Sequence, residues 1–99
     1  MRVAWHPRAQ HDLMEIVRYV GEDNLDAALR LRDSIRGQVA LLAQMPDMGR
    51  RGRVRGTREL VIAGTRYIVA YTTTREEVVV LRVLHGARHW PRRFTAEAQ

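Results

Sequence analysis

The sequence predicts an α+β fold of order β-α-α-β-β-β, a helical hairpin packed on one face of a small antiparallel sheet. Three observations carry that expectation. Apolar residues recur at helical spacing through the first half of the chain. After residue 57 the period changes to two. The connections are so short that consecutive elements must run antiparallel.

The elements follow in order. Val3 to Trp5 reads as a short edge strand. Pro7 suits the first helical position, where its missing N–H would have had no partner anyway. Leu13, Ile16, Val17 and Val20 then form one apolar stripe, and Gly21 is expected to end the helix as a left-handed cap. Asn24 can cap a second helix, with Asp26 in its first turn where the helix dipole favours a negative charge. Ala28, Leu31, Ile35, Val39 and Leu42 make its inward stripe, and Pro46 stops it by pushing Met45 out of the α region. PDMGRRGRVRGTREL, rich in glycine and arginine, reads as a loop. Arg58 to Ile62, Arg66 to Thr73 and Glu77 to Leu84 read as strands, joined tightly through Ala63-Gly64 and Thr74-Arg75-Glu76 into a meander.

At 99 residues and 45% hydrophobic, the chain is one domain, residues 1–99, with 91–99 as a C-terminal tail. There is no cysteine, which excludes a disulfide framework and fits a reducing compartment. The N-terminus lacks the apolar stretch of a secretory signal, and no apolar run is long enough to span a bilayer, so a cytoplasmic protein is expected. The net charge is +6, and all 17 basic side chains are arginine. Arginine presents a rigid fork matched to carboxylate and phosphate, so the partner should be acidic: nucleic acid or an acidic protein. His6, His11, His85 and His89 lack the spacing of a tetrahedral metal site, and no glycine-rich phosphate loop or nucleophile motif occurs. No cofactor is expected.

GTREL at 56–60, RYIVAY at 66–71 and LRVLHGARHWP at 81–91, in this element order, resemble the RelE/ParE superfamily of bacterial type II toxins. They look most like the ParE-type, plasmid-stabilisation branch. The resemblance spans nearly the whole chain and implies two mechanisms on one fold. ParE-like members poison DNA gyrase so that its DNA breaks persist. RelE-like members enter the ribosomal A site and cut mRNA. Either kind is neutralised by a cognate antitoxin, so a toxin–antitoxin hetero-oligomer is expected in both cases.

On the ParE-like reading there are no catalytic residues, and Arg82, Arg88, His89, Trp90, Arg92 and Arg93 form a docking surface for gyrase, with Trp90 as its apolar anchor. On the alternative, Arg66, Arg82, His85 and Arg88 form a nuclease site. The strand slot where the nuclease branch carries arginine holds Ile68, however, and its C-terminal tyrosine has no match; Trp90 and Phe94, which stand nearby, carry no transferable proton. A third possibility is a partner-binding protein that has lost toxicity.

Each residue also has a plainer role open to it. His85 can be a structural hydrogen-bonder closing a strand whose helix-covered face holds Val79, Leu81 and Val83. Arg82, on the opposite face beside Val78, Val80 and Leu84, can meet a partner or pair with Glu59. Trp90 can fold back over the core edge. Arg53, Arg55 and Arg58 can contact the antitoxin or a nucleic acid, or simply keep a loop solvated.

Overall fold

A computed structural model describes residues 1–94; the rest of the expected tail, residues 95–99, lies outside the described residues. Strand β1 (Arg2–Trp5) leads into helix α1 (Pro7–Gly21) and helix α2 (Leu25–Ala40), which ends in a single 3-10 turn, Leu41–Ala43. Strands β2 (Arg50–Arg51), β3 (Arg58–Val61), β4 (Tyr67–Thr73) and β5 (Glu77–His85) follow.

The helices start as their sequences dictate. Pro7 opens α1 after His6, whose Nδ1 accepts the Arg8 N–H at 3.1 Å. Asn24 Oδ1 accepts the Ala27 N–H at 2.9 Å and caps α2. The end of α1 differs from expectation. Gly21 stays right-handed, positive φ among the described residues being confined to Gly56 and Gly64. The chain turns instead through further helical bonds, with Glu22 N–H returning to Arg18 and Asn24 N–H to Val20.

The sheet order is β1-β5-β4-β3-β2. The meander of β3, β4 and β5 is antiparallel as expected, but β1 lies parallel to β5, so the sheet is mixed. The glycine–arginine segment is not all loop: Arg50 and Arg51 pair antiparallel with Glu59 and Arg58 as an edge strand too short to show a period of two.

A bulge decides which β5 residues face the helices. Ala70 pairs with Arg82 and Tyr71 with Val80, leaving Leu81 as the extra residue. Strict alternation would place Val79, Leu81 and Val83 on the core face. The core instead takes Val78 and Val80 before the bulge and Val83 after it, together with Leu13, Ile35, Val39, Leu42, Val69 and Tyr71. The opposite face is not fully open either, because Ile68, Ala70 and Val54 are also buried. Segment 52–57 is pinned over it, Thr72 Oγ1 donating to the Gly56 carbonyl at 3.0 Å.

Where the chain leaves the helices it is held by Tyr71. This fully buried side chain donates from its hydroxyl to the Pro46 carbonyl at 2.7 Å and accepts the Gly49 N–H at 2.9 Å. Burial pushes its hydroxyl pKa up, against smaller opposing effects of the Gly49 N–H and the Arg58 charge. A phenol so placed fixes the start of the arginine segment on the core.

Candidate functional site

The site is built where the end of β5 meets the arginine segment. Glu59, in β3, is 2% exposed and is the single acid among residues 50–66. Its carboxylate accepts from Arg50 (Nε 3.2 Å, Nη2 2.9 Å) and from Arg53 (backbone N 2.8 Å, Nε 3.0 Å, Nη2 3.2 Å). Burial would raise the Glu59 pKa. The Arg53 side-chain and backbone hydrogen bonds, with those of Arg50, outweigh it and hold the carboxyl below the usual glutamate value.

Arg53, held in this way, stacks its guanidinium on Trp90, 3.7 Å from the ring centroid. The Trp90 indole N–H points back to the His85 carbonyl at 3.4 Å. Glu59 therefore orients Arg53, and Arg53 holds Trp90, just ahead of the tail, against the end of β5. Trp90 is half-buried by this contact, so capping the core edge and presenting a ring to a partner are compatible roles. Arg88, His89, Arg92 and Arg93 around it are exposed.

The Glu59 contacts carry a pH signature. Because the folded-state pKa is lowered, the stabilisation is present above the ordinary glutamate range, roughly pH 4–5, and is lost as pH falls through the folded value. Glu59→Gln should flatten the acid limb of a stability–pH curve by one carboxylate. It should also loosen Arg53, shifting Trp90 fluorescence measured in a Trp5→Phe background. An unchanged acid limb would show that Glu59 titrates alike in the folded and unfolded chains.

Arg82 does not pair with Glu59 and does not point at open solvent. The bulge turns it towards α1, where Nε and Nη2 grip the two oxygens of Asp12 at 2.7 and 3.1 Å. The Val83 N–H donates to the same carboxylate at 3.0 Å. Past the end of β1, Asp12 thus satisfies the outer edge of β5. A residue so engaged, with its side chain 14% exposed, is a poor docking contact.

His85 takes the structural role. Its Nδ1 accepts the Ala87 N–H at 3.1 Å, and its ring stands edge-on to Tyr67 with centroids 5.7 Å apart. All four residues of the nuclease alternative, Arg66, Arg82, His85 and Arg88, nevertheless line one groove of about 780 Å³ between α1 and the β4–β5 end. Tyr19 and Tyr67 line it too; the sequence does not single them out, because their convergence needs the helix–sheet packing. Among the described residues no group of three or more His, Cys, Asp or Glu is placed to hold a metal ion.

The arginine segment sorts into two classes. Arg50 and Arg53 are bound to Glu59, while Arg58 donates to the Gly49 carbonyl at 2.8 Å and sits 3.6 Å from Asp47. Arg51 and Arg55 are exposed, with no carboxylate in salt-bridge range among the described residues. The sequence offered Glu59 only as a partner for Arg82; its two-arginine clamp was not legible there.

A second groove, of about 970 Å³, is lined by α1, α2 and the end of β1. Trp5, Leu13, Met14 and Val17 supply apolar lining, and Arg18, Arg32 and Arg36 also line it. No helix of the described residues is long and apolar enough to cross a membrane.

Comparison with known proteins places this architecture. A family model described as ParE toxin of type II toxin-antitoxin system, parDE, matches residues 3–90. A curated relative named "Putative toxin Y4kP", from Sinorhizobium fredii (strain NBRC 101917 / NGR234), is 42% identical over 90 residues, covering 91% of this chain and 93% of the relative. A solved structure described as "Chromosomal ParDE TA system from P. aeruginosa" matches with a TM-score of 0.78 and 27% identity, covering 86% of this chain and 95% of that one.

Proposed function

The chain belongs to the ParE toxin family of type II toxin–antitoxin systems, and from that premise we propose that it acts by binding DNA gyrase and arresting it with its DNA broken. The observation that carries this reading is the tail held on the end of β5. Trp90 is fixed by Arg53 from one side and by the His85 carbonyl through its indole N–H. An aromatic ring of restricted freedom, flanked by the exposed cations Arg88, His89, Arg92 and Arg93, is the composition of a protein-docking anchor. No bond in the target need be made or broken by the toxin's own residues; occupancy alone would stop the cycle.

The antitoxin is proposed to occupy the groove lined by α1, α2 and the end of β1. Its apolar lining and three arginines suit the apolar face of an amphipathic helix with acidic flanks. That surface is distinct from the tail. Removing residues 90–99 should therefore abolish growth arrest on expression while leaving antitoxin binding intact. Simultaneous loss of both would count against separate surfaces.

A second reading, a RelE-like ribosome-dependent mRNA endonuclease, is favoured by the shared groove of Arg66, Arg82, His85 and Arg88. Against it, Asp12 neutralises Arg82, and Ile68, in the nuclease branch's arginine slot, is 8% exposed. Cut mRNA at the ribosomal A site, reduced by Arg88→Ala, would establish that reading in place of the first.

A further inference from the structure

We infer that the groove between the arginine segment and the end of β4 is a binding site for the phosphate backbone of duplex DNA. The groove, of about 360 Å³, is lined by Arg51, Arg55 and Arg58 with Thr57, Thr72 and Thr73; its remaining lining residues are glycines. No lining residue is acidic, unlike the groove near His85, where Asp12 and Glu15 offset the arginines.

Two features mark the site as built for an anion. Arg51 and Arg58 are direct cross-strand partners in the β2–β3 pair. Like charges so opposed destabilise a sheet, and the Asp47 beside Arg58 is 85% exposed and weakly compensating. The Arg58 guanidinium is committed to the Gly49 carbonyl and Asp47, so a phosphate held by Arg51 beside it would offset that repulsion. The frame is also fixed before anything binds. Gly52 N–H donates to the Thr57 carbonyl at 2.8 Å, Thr57 Oγ1 to the Val54 carbonyl at 2.6 Å, and Thr72 Oγ1 to the Gly56 carbonyl at 3.0 Å. Gly56 takes φ +80°, which closes the turn, and a side chain at Gly52 would run into Thr57.

The lining also selects the occupant. Arginine, threonine and glycine offer charge and hydrogen bonds but no apolar anchor, which a protein segment needs and which the helix groove has. No aromatic residue lines it to stack unpaired bases, so a single strand is disfavoured against a duplex. Within the arginine segment, among the described residues, Arg51 and Arg55 are left to engage phosphate, since Glu59 holds Arg50 and Arg53 and the Gly49 carbonyl and Asp47 hold Arg58. The contact is with DNA itself and stands whether or not gyrase is the target.

The test is fluorescence anisotropy of a short mixed-sequence DNA duplex titrated with the full chain over a range of salt. Arg51→Gln/Arg55→Gln should weaken binding by roughly tenfold or more and reduce the salt slope by about 2, one for each phosphate no longer neutralised. Arg2→Gln/Arg30→Gln, which removes the same charge elsewhere, should do neither. In the unaltered protein, the amide resonances of Thr57, Thr72 and Thr73 should shift on adding the duplex. Equal losses in both variants, with those resonances unmoved, would reduce the effect to net charge and overturn the site. Unchanged DNA binding in Arg51→Gln/Arg55→Gln with weakened antitoxin binding would overturn it in favour of an acidic protein.

Discussion

Gly49→Ala is expected to destabilise the protein by about 3 kcal/mol, a fall in Tm of roughly 12–24 °C for a domain of this size. A Cβ at position 49 would stand 2.6 Å from the Tyr71 hydroxyl, 2.7 Å from its ring and 2.9 Å from the Glu59 carbonyl. None of the three can yield cheaply. Tyr71 is fully buried in the core, and Glu59 is hydrogen-bonded within the β3 pairing. Relief by moving Tyr71 would strand the Gly49 N–H and the Pro46 carbonyl that its hydroxyl satisfies. Tyr71→Phe isolates that last contribution and should cost about 1–3 kcal/mol. Thermal unfolding of both variants checks the account; a Gly49→Ala protein within about 0.5 kcal/mol of wild type would contradict it.

Asp12→Ala should cost about 3–5 kcal/mol in chemical denaturation, because it leaves a charge without its partner rather than removing a pair. The side chains of Asp12 and Arg82 are 10% and 14% exposed, and the carboxylate holds Val83 N–H as well as the guanidinium. Replacing both ends, Asp12→Leu/Arg82→Met, should recover much of the loss, since the desolvation cost of the two ions disappears with them. If the double variant were as unstable as Asp12→Ala alone, the main service of Asp12 would be to the Val83 N–H and to Arg8, 3.7 Å away, and not to Arg82.

Most of the fold was legible because it rests on local chemistry. The stripe from Leu13 to Val20, the Asn24 cap and the tight turns at Ala63-Gly64 and Thr74 to Glu76 each act within a few residues, and each element lies where they put it. The failures are non-local. Nothing around Leu81 announces a bulge, yet that one residue breaks the alternation. It moves Val78 and Val80 into the core and sends Arg82 to a carboxylate seventy residues earlier in the chain. The parallel pairing of β1 with β5 likewise joins opposite ends of the sequence. Gly21 misled because glycine permits a left-handed cap without requiring one.

The site was legible in composition and not in geometry. Trp90 and the cations around it stand out by clustering, whereas Arg53 and Arg55 look alike as neighbouring loop arginines. Folding separates those two: Arg53 is tied to Glu59 and stacked on Trp90, while Arg55 has neither contact, though both are exposed. The charge on a side chain can be read from sequence, whereas its counter-ion depends on which strands pair.

Gyrase poisoning is tested most directly by supercoiling of relaxed plasmid by purified gyrase in the presence of increasing amounts of the full chain, with cleaved DNA scored after protein denaturation. The proposed function predicts inhibition of supercoiling together with accumulated double-strand breaks, both lost when residues 90–99 are removed. Undiminished supercoiling and no trapped breaks, from protein that still binds its antitoxin, would contradict it.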